Sequence, residues 1–150
     1  MLKIGDKFLF EENLLNRQTC LMFFKEYNSV SWSVDIGFKN GNFVDEILAP
    51  AICINPINTD KNSIEDLVGE IFRVATVEEC DDREDTFYLY ESEPMVSYEL
   101  EVLEIKDSRA HVRCNGILIV DGYSVPYIRE SFEIDAWIPV IESVNDWEKS

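Results

Sequence analysis

Positive charge is scarce in this chain: 13 lysines and arginines stand against 30 aspartates and glutamates, a net charge of −17. Proteins that bind nucleic acid gain most of their affinity by neutralising phosphates with cations, so nucleic acid is not an expected partner. Anionic membrane surfaces are disfavoured on the same ground. No apolar run approaches the ~18 residues of a membrane span. The opening stretch "MLKIGDKFLFEENLL" is broken by acids before it can form the apolar core of a secretory signal. The expected location is therefore the cytoplasm.

Histidine is rarer still, His111 being the single one. It pairs by motif with no serine or cysteine, and G-x-S-x-G does not occur, so nucleophilic hydrolase chemistry has no support. G-x-G-x-x-G and the P-loop are both missing, which removes the usual nucleotide sites. The acids lack calcium-loop spacing. No catalytic residue, metal or cofactor is expected, and the chain is read as a non-enzyme. Cys20, Cys53, Cys80 and Cys114 are scattered without a C-x-x-C pair. Cys20, Cys53 and Cys114 lie in apolar runs and read as reduced core residues. Cys80 lies among carboxylates, which should raise its pKa and blunt its reactivity.

Repeats, low-complexity tracts and Gly/Ser/Pro-rich linkers are missing too, so residues 1–150 read as one globular domain. The 46% hydrophobic and 12% aromatic content is enough for a packed core. The prevailing period is two. Val30, Trp32, Val34 and Ile36 alternate with Ser31, Ser33 and Asp35. Tyr98, Leu100 and Val102 alternate with Glu99 and Glu101, and after "KDS" the set Ala110, Val112 and Cys114 returns. That hairpin can set Glu101 opposite Arg113 and leaves His111 between arginines on its outer face, a plain surface position. "SIEDLVG" is the best helix candidate, with Ser63 as cap and Gly69 at the end. Pro50 and Pro56 suggest strand edges or ends. The sum is roughly seven to nine short strands with one short helix: a mainly β antiparallel sandwich or partly open barrel, with α+β as the alternative.

The negative charge is concentrated. Residues 78–104 hold 11 acids and one base. The run "EECDDRED" supplies Glu78, Glu79, Asp81, Asp82, Glu84 and Asp85, and Tyr88, Tyr90, Glu91 and Glu93 follow closely. Consecutive acids between strands commonly form a solvated loop. Here they continue further than solubility needs, and the interleaved tyrosines offer rigid contact area. These ten residues are the candidate surface for a basic protein partner. Within "TFYLYE" the alternation assigns Phe87 and Leu89 to the core and Tyr88 and Tyr90 to the outside. A second candidate site is an aromatic pocket for a small molecule or peptide, drawn from Trp32, Asp121, Tyr123, Tyr127 and Trp137.

In its acidic, small, β-rich character, carried by "EECDDRED" and the acids after it, the chain resembles the immunity proteins of bacterial toxin systems. The resemblance is of general character along the whole chain and transfers no functional residue. It implies an inhibitor that masks the basic active-site surface of a toxin domain such as a nuclease.

Overall fold

The computed structural model describes residues 1–15, 17–143 and 146. Residues 144, 145 and 147–150 of the polar tail, expected as a last helical turn or a frayed end, lie outside the described residues. The described residues form 13 strands. These are β1 (Leu2–Ile4), β2 (Phe8–Phe10), β3 (Cys20–Glu26), β4 (Ser29–Gly37), β5 (Gly41–Phe43), β6 (Glu46–Leu48), β7 (Ala51–Thr59), β8 (Ile71–Val74), β9 (Thr86–Tyr88), β10 (Ser92–Pro94), β11 (Ser97–Lys106), β12 (Arg109–Asp121) and β13 (Ile128–Ile141). The count exceeds the expectation because the additional strands have only three residues each, too short to display a period.

The fold is mainly β, a curled open sheet forming a half-barrel. The strand order is β10-β9-β7-β4-β3-β13-β12-β11-β8, with β1 and β2 added beside β13 and a separate β5–β6 hairpin. Every pairing is antiparallel except β13 with β3. Strand β13 is the keystone. One edge pairs with β12 along nearly its full length. The other edge takes β1 at Phe132–Ile134 and β3 at Val140–Ile141.

The long hairpin forms as its alternation requires, with Leu100 opposite Cys114 and Glu101 opposite Arg113. Arg113, however, turns its guanidinium to Asp135 on β13, at 3.8 Å. Pro56 is not at a strand end. It lies inside β7, where the register with β4 shifts between Trp32 and Val34, a bulge that tolerates a residue without an N–H.

The concave face is filled. Trp32, Phe23, Phe87, Leu2, Ile4 and Leu100 are fully buried, each worth about 1.5–3 kcal/mol relative to exposure. Phe87 on β9 meets Phe132 on β13 with ring centroids 5.1 Å apart, although three strands separate β9 from β13 in the sheet order. Curling brings them together across the interior.

The helix is not where the best candidate stood. Ile64–Leu67 is a single 3-10 turn, and Ser63 makes no side-chain cap bond. The α-helix, α1 (Val77–Arg83), rises from the acidic run itself. Its cap explains why. The Thr76 hydroxyl accepts from the Glu79 N–H, Glu78 and Glu79 occupy the first turn, and Arg83 stands in the last. Acids at the positive end of the helix dipole and a base at the negative end stabilise a helix that mutual repulsion would otherwise weaken.

Candidate functional site

Folding sorts the acidic stretch into three environments. Glu78, Glu79, Asp81 and Asp82 are exposed on α1, and Glu84 is exposed just beyond it. None of these five has an ion-pair partner among the described residues. Cys80, on the inner side of the helix, is completely buried, and its thiol is pushed up to about 11 by burial first and by Asp85 and Glu79 next.

Asp85 departs from the surface expected of it. Glu84 adopts a left-handed conformation (φ 59°) that ends the helix and reverses the chain, so Asp85 turns inward and is wholly buried. Its Oδ2 accepts from Arg83 Nε at 2.7 Å and from the Tyr98 hydroxyl, and its Oδ1 accepts from the Asn55 N–H at 2.8 Å. The Arg83 guanidinium also donates to the Asn55 carbonyl at 2.6 Å and lies over the Phe72 ring at 4.7 Å. Asn55 Nδ2 donates to the Glu84 carbonyl at 2.7 Å. Burial, followed by Asp85, raises the Tyr98 hydroxyl far above its ordinary range. Asp85 therefore joins β7 to β11 across the half-barrel and is not available to a partner. Its carboxylate is satisfied by the chain's own guanidinium, hydroxyl and amide groups.

The third environment is a cleft of about 440 Å³ lined by Tyr90, Glu91, Glu93, Val120, Asp121, Gly122, Tyr123 and Ile128. It unites residues from both candidate sites: Tyr90, Glu91 and Glu93 from the acidic stretch, Asp121 and Tyr123 from the loop between β12 and β13. Phe87 and Leu89 are buried while Tyr88 and Tyr90 are exposed, as the alternation requires. The Tyr123 hydroxyl donates to Glu91 Oε1 at 3.2 Å. Asp121 shapes the loop, accepting from the Tyr123 N–H at 2.9 Å and the Ser124 hydroxyl at 2.8 Å. These bonds hold its carboxyl below the usual range. The Glu91 hydrogen bond and charge raise the Tyr123 hydroxyl. Partial burial, then Glu46 and Asp45, raises that of Tyr90. The field at the cleft is negative, and none of its three carboxylates has an ion pair among the described residues.

The five residues of the second candidate site are not brought together. Trp32 is core, and Tyr127 is partly buried outside the cleft lining. Trp137 lies opposite His111, whereas Ile128 lies opposite Asp121. Trp137 lies nine residue steps along the strand from Ile128, about 30 Å at the rise of a β-strand. Trp137 stacks on His111 with centroids 4.9 Å apart, and His111 Nε2 lies 2.7 Å from Asp135 Oδ1, so the histidine has local partners on β13. The cysteines are all free: Cys20 and Cys114 are buried as expected, while Cys53 is half-buried.

Among the described residues no group of three or more His, Cys, Asp or Glu side chains has metal-site geometry, and no helix is long and apolar enough to cross a membrane. No protein-family model matches the chain, and no curated protein or solved structure matches it.

Proposed function

We propose that this protein is an acidic binding module for a positively charged protein, acting in the manner of an immunity protein that masks the basic active-site surface of a toxin such as a nuclease. The observation that carries the reading is the run of exposed carboxylates on and just after α1, none of them paired with a cation among the described residues. Exposed charges without internal partners act at a distance. They steer a cationic partner into encounter and compete for the lysines and arginines it would otherwise set against phosphates. The tyrosines beside them supply contact area at low entropic cost. Catalysis and metal binding play no part in the reading.

The test is charge reversal. A chain carrying Asp81→Lys, Asp82→Lys and Glu84→Lys changes only exposed side chains. Wild type and variant are used as bait in extract of the native cell, and the association rate of the purified partner is then followed against ionic strength. The expected partner is basic, its association with wild type slows steeply with salt, and the variant associates about tenfold or more slowly. A partner that associates with the reversed chain at the wild-type rate, or with no salt dependence, overturns the reading.

A further inference from the structure

We propose that the cleft between Tyr90 and Tyr123 is the socket for one extended lysine or arginine side chain of the partner, a deepening that rests on the basic-partner reading above. The walls come first. Tyr90, Val120, Tyr123 and Ile128 give the cleft apolar sides. An aliphatic stem of several methylenes lies well against such walls. Tyr90, Tyr123 and Ile128 are exposed in the free chain, so this apolar surface is still open to a contact.

Charge decides what fills it. A neutral apolar side chain would cover the walls but bury carboxylates that have no counter-ion among the described residues, which is costly. An acidic one would add like charge. Glu93 stands where a cationic head group would arrive. Both of its carboxylate oxygens lie against the backbone of Gly122, so close that a Cβ there would sit 2.7 Å from Oε1 and 2.8 Å from Oε2. Glu91 accepts from the Tyr123 hydroxyl, and Asp121 is held within the loop by its own hydrogen bonds. A cation seated there gains charge-assisted hydrogen bonds and the negative faces of tyrosine rings. At about 440 Å³ the cleft holds a single side chain, not a folded element.

The experiment uses small cations that carry the side chain alone. The ¹⁵N-labelled full chain is titrated at low salt with n-butylguanidinium and with n-butylammonium, n-butanol serving as the neutral control. Saturable shifts centred on the Gly122 and Tyr123 amides, with no such saturation for butanol, are expected. Glu93→Gln should weaken cation binding roughly tenfold, and Tyr123→Ala, a change at an exposed side chain, should also weaken it. The triple lysine variant of α1 should bind the small cations close to wild type. Tighter binding of the guanidinium assigns the socket to arginine, tighter binding of the ammonium to lysine. Linear shifts, equal response to butanol, or an unchanged Glu93→Gln titration overturn the socket. That failure is separable from failure of the basic-partner reading, because partner association would then still depend on salt and on the α1 carboxylates.

Discussion

The backbone N–H of Asn55 donates to Asp85 Oδ1 at 2.8 Å, from the place where β7 bulges against β4. The bulge releases that amide from the sheet ladder, and a carboxylate 30 residues along the chain receives it. The same carboxylate holds Arg83 and Tyr98. Removing it strands a buried hydroxyl, an amide and a guanidinium together. Asp85→Ala should cost about 3–5 kcal/mol of folding stability. Asp82→Ala, at an exposed position of α1, should stay within ~0.5 kcal/mol. Urea titration of the two variants reads the difference, which separates the structural acid from the acids assigned to the partner.

Two glycines give a second contrast. A Cβ on Gly116 would clash with the Ser97 carbonyl oxygen and lie 2.8 Å from the Tyr98 Cα, so β11 and β12 would have to move apart. Gly116→Ala should therefore destabilise by about 1–3 kcal/mol. A Cβ on Gly122 would meet the end of the Glu93 side chain, which can swing away. Gly122→Ala should leave the melting temperature nearly unchanged while displacing Glu93 and weakening butylguanidinium binding. Thermal unfolding and the cation titration, run on both variants, check the pair.

Asp35 sits on β4 opposite Cys20 on one side and Cys53 on the other. Burial raises its carboxyl above the ordinary value, a hydrogen bond from Cys53 only partly offsetting the rise. An acid whose folded pKa is raised favours folding when protonated, and that contribution is lost as pH climbs through the folded value. Near neutral pH the ionised group is therefore a burden. Asp35→Asn should be more stable than wild type at pH 7, and the advantage should shrink as pH falls towards the ordinary carboxylate range. Denaturation midpoints across pH 3–8 measure it.

The thiols follow the same sign. Burial, then Asp35 by hydrogen bond and charge, pushes Cys53 up to about 12. Burial foremost takes Cys20 and Cys80 to about 11. At pH 8 iodoacetamide should alkylate even the half-buried Cys53 more than about tenfold more slowly than a free thiol. Because unfolded thiols ionise first, stability should decline as pH rises above the ordinary thiol value. Mass-spectrometric labelling rates and alkaline unfolding curves test both.

Much of this architecture is legible in the residues. Alternation in β4, β11 and β12 announces strands with one buried face, and "TFYLYE" sorts its aromatics correctly. The signal for α1 is present as well: Thr76, then Glu79 three residues on, is a capping pattern, but it stands in a run of like charges that suits a solvated loop equally well. The inward turn of Asp85 had no comparable signal. It depends on a left-handed Glu84 and on partners in β7 and β11, and one aspartate in an acidic run looks like the next. The cleft was equally hidden. Glu91 and Tyr123 are 32 residues apart, and only the curl of the sheet makes them neighbours. Trp32 and Trp137 misled for the opposite reason. Aromatic residues suit a core or a stacked pair as well as a pocket, and composition cannot rank those uses.

Strand β13 carries both halves of the sheet on its edges, yet it is made after every strand that pairs with it. Its register with β1 joins Leu2 to Ile134. During vectorial synthesis the earlier strands leave the ribosome with their central seam open, and the halves can zip together only once residues 128–141 have emerged. Such long-range closure means a high contact order and slow folding for a chain of this size. A nascent chain stalled short of residue 128 would expose the flanks of β3, β12 and β1 at once, making that stage of its birth the one at which it most needs a chaperone.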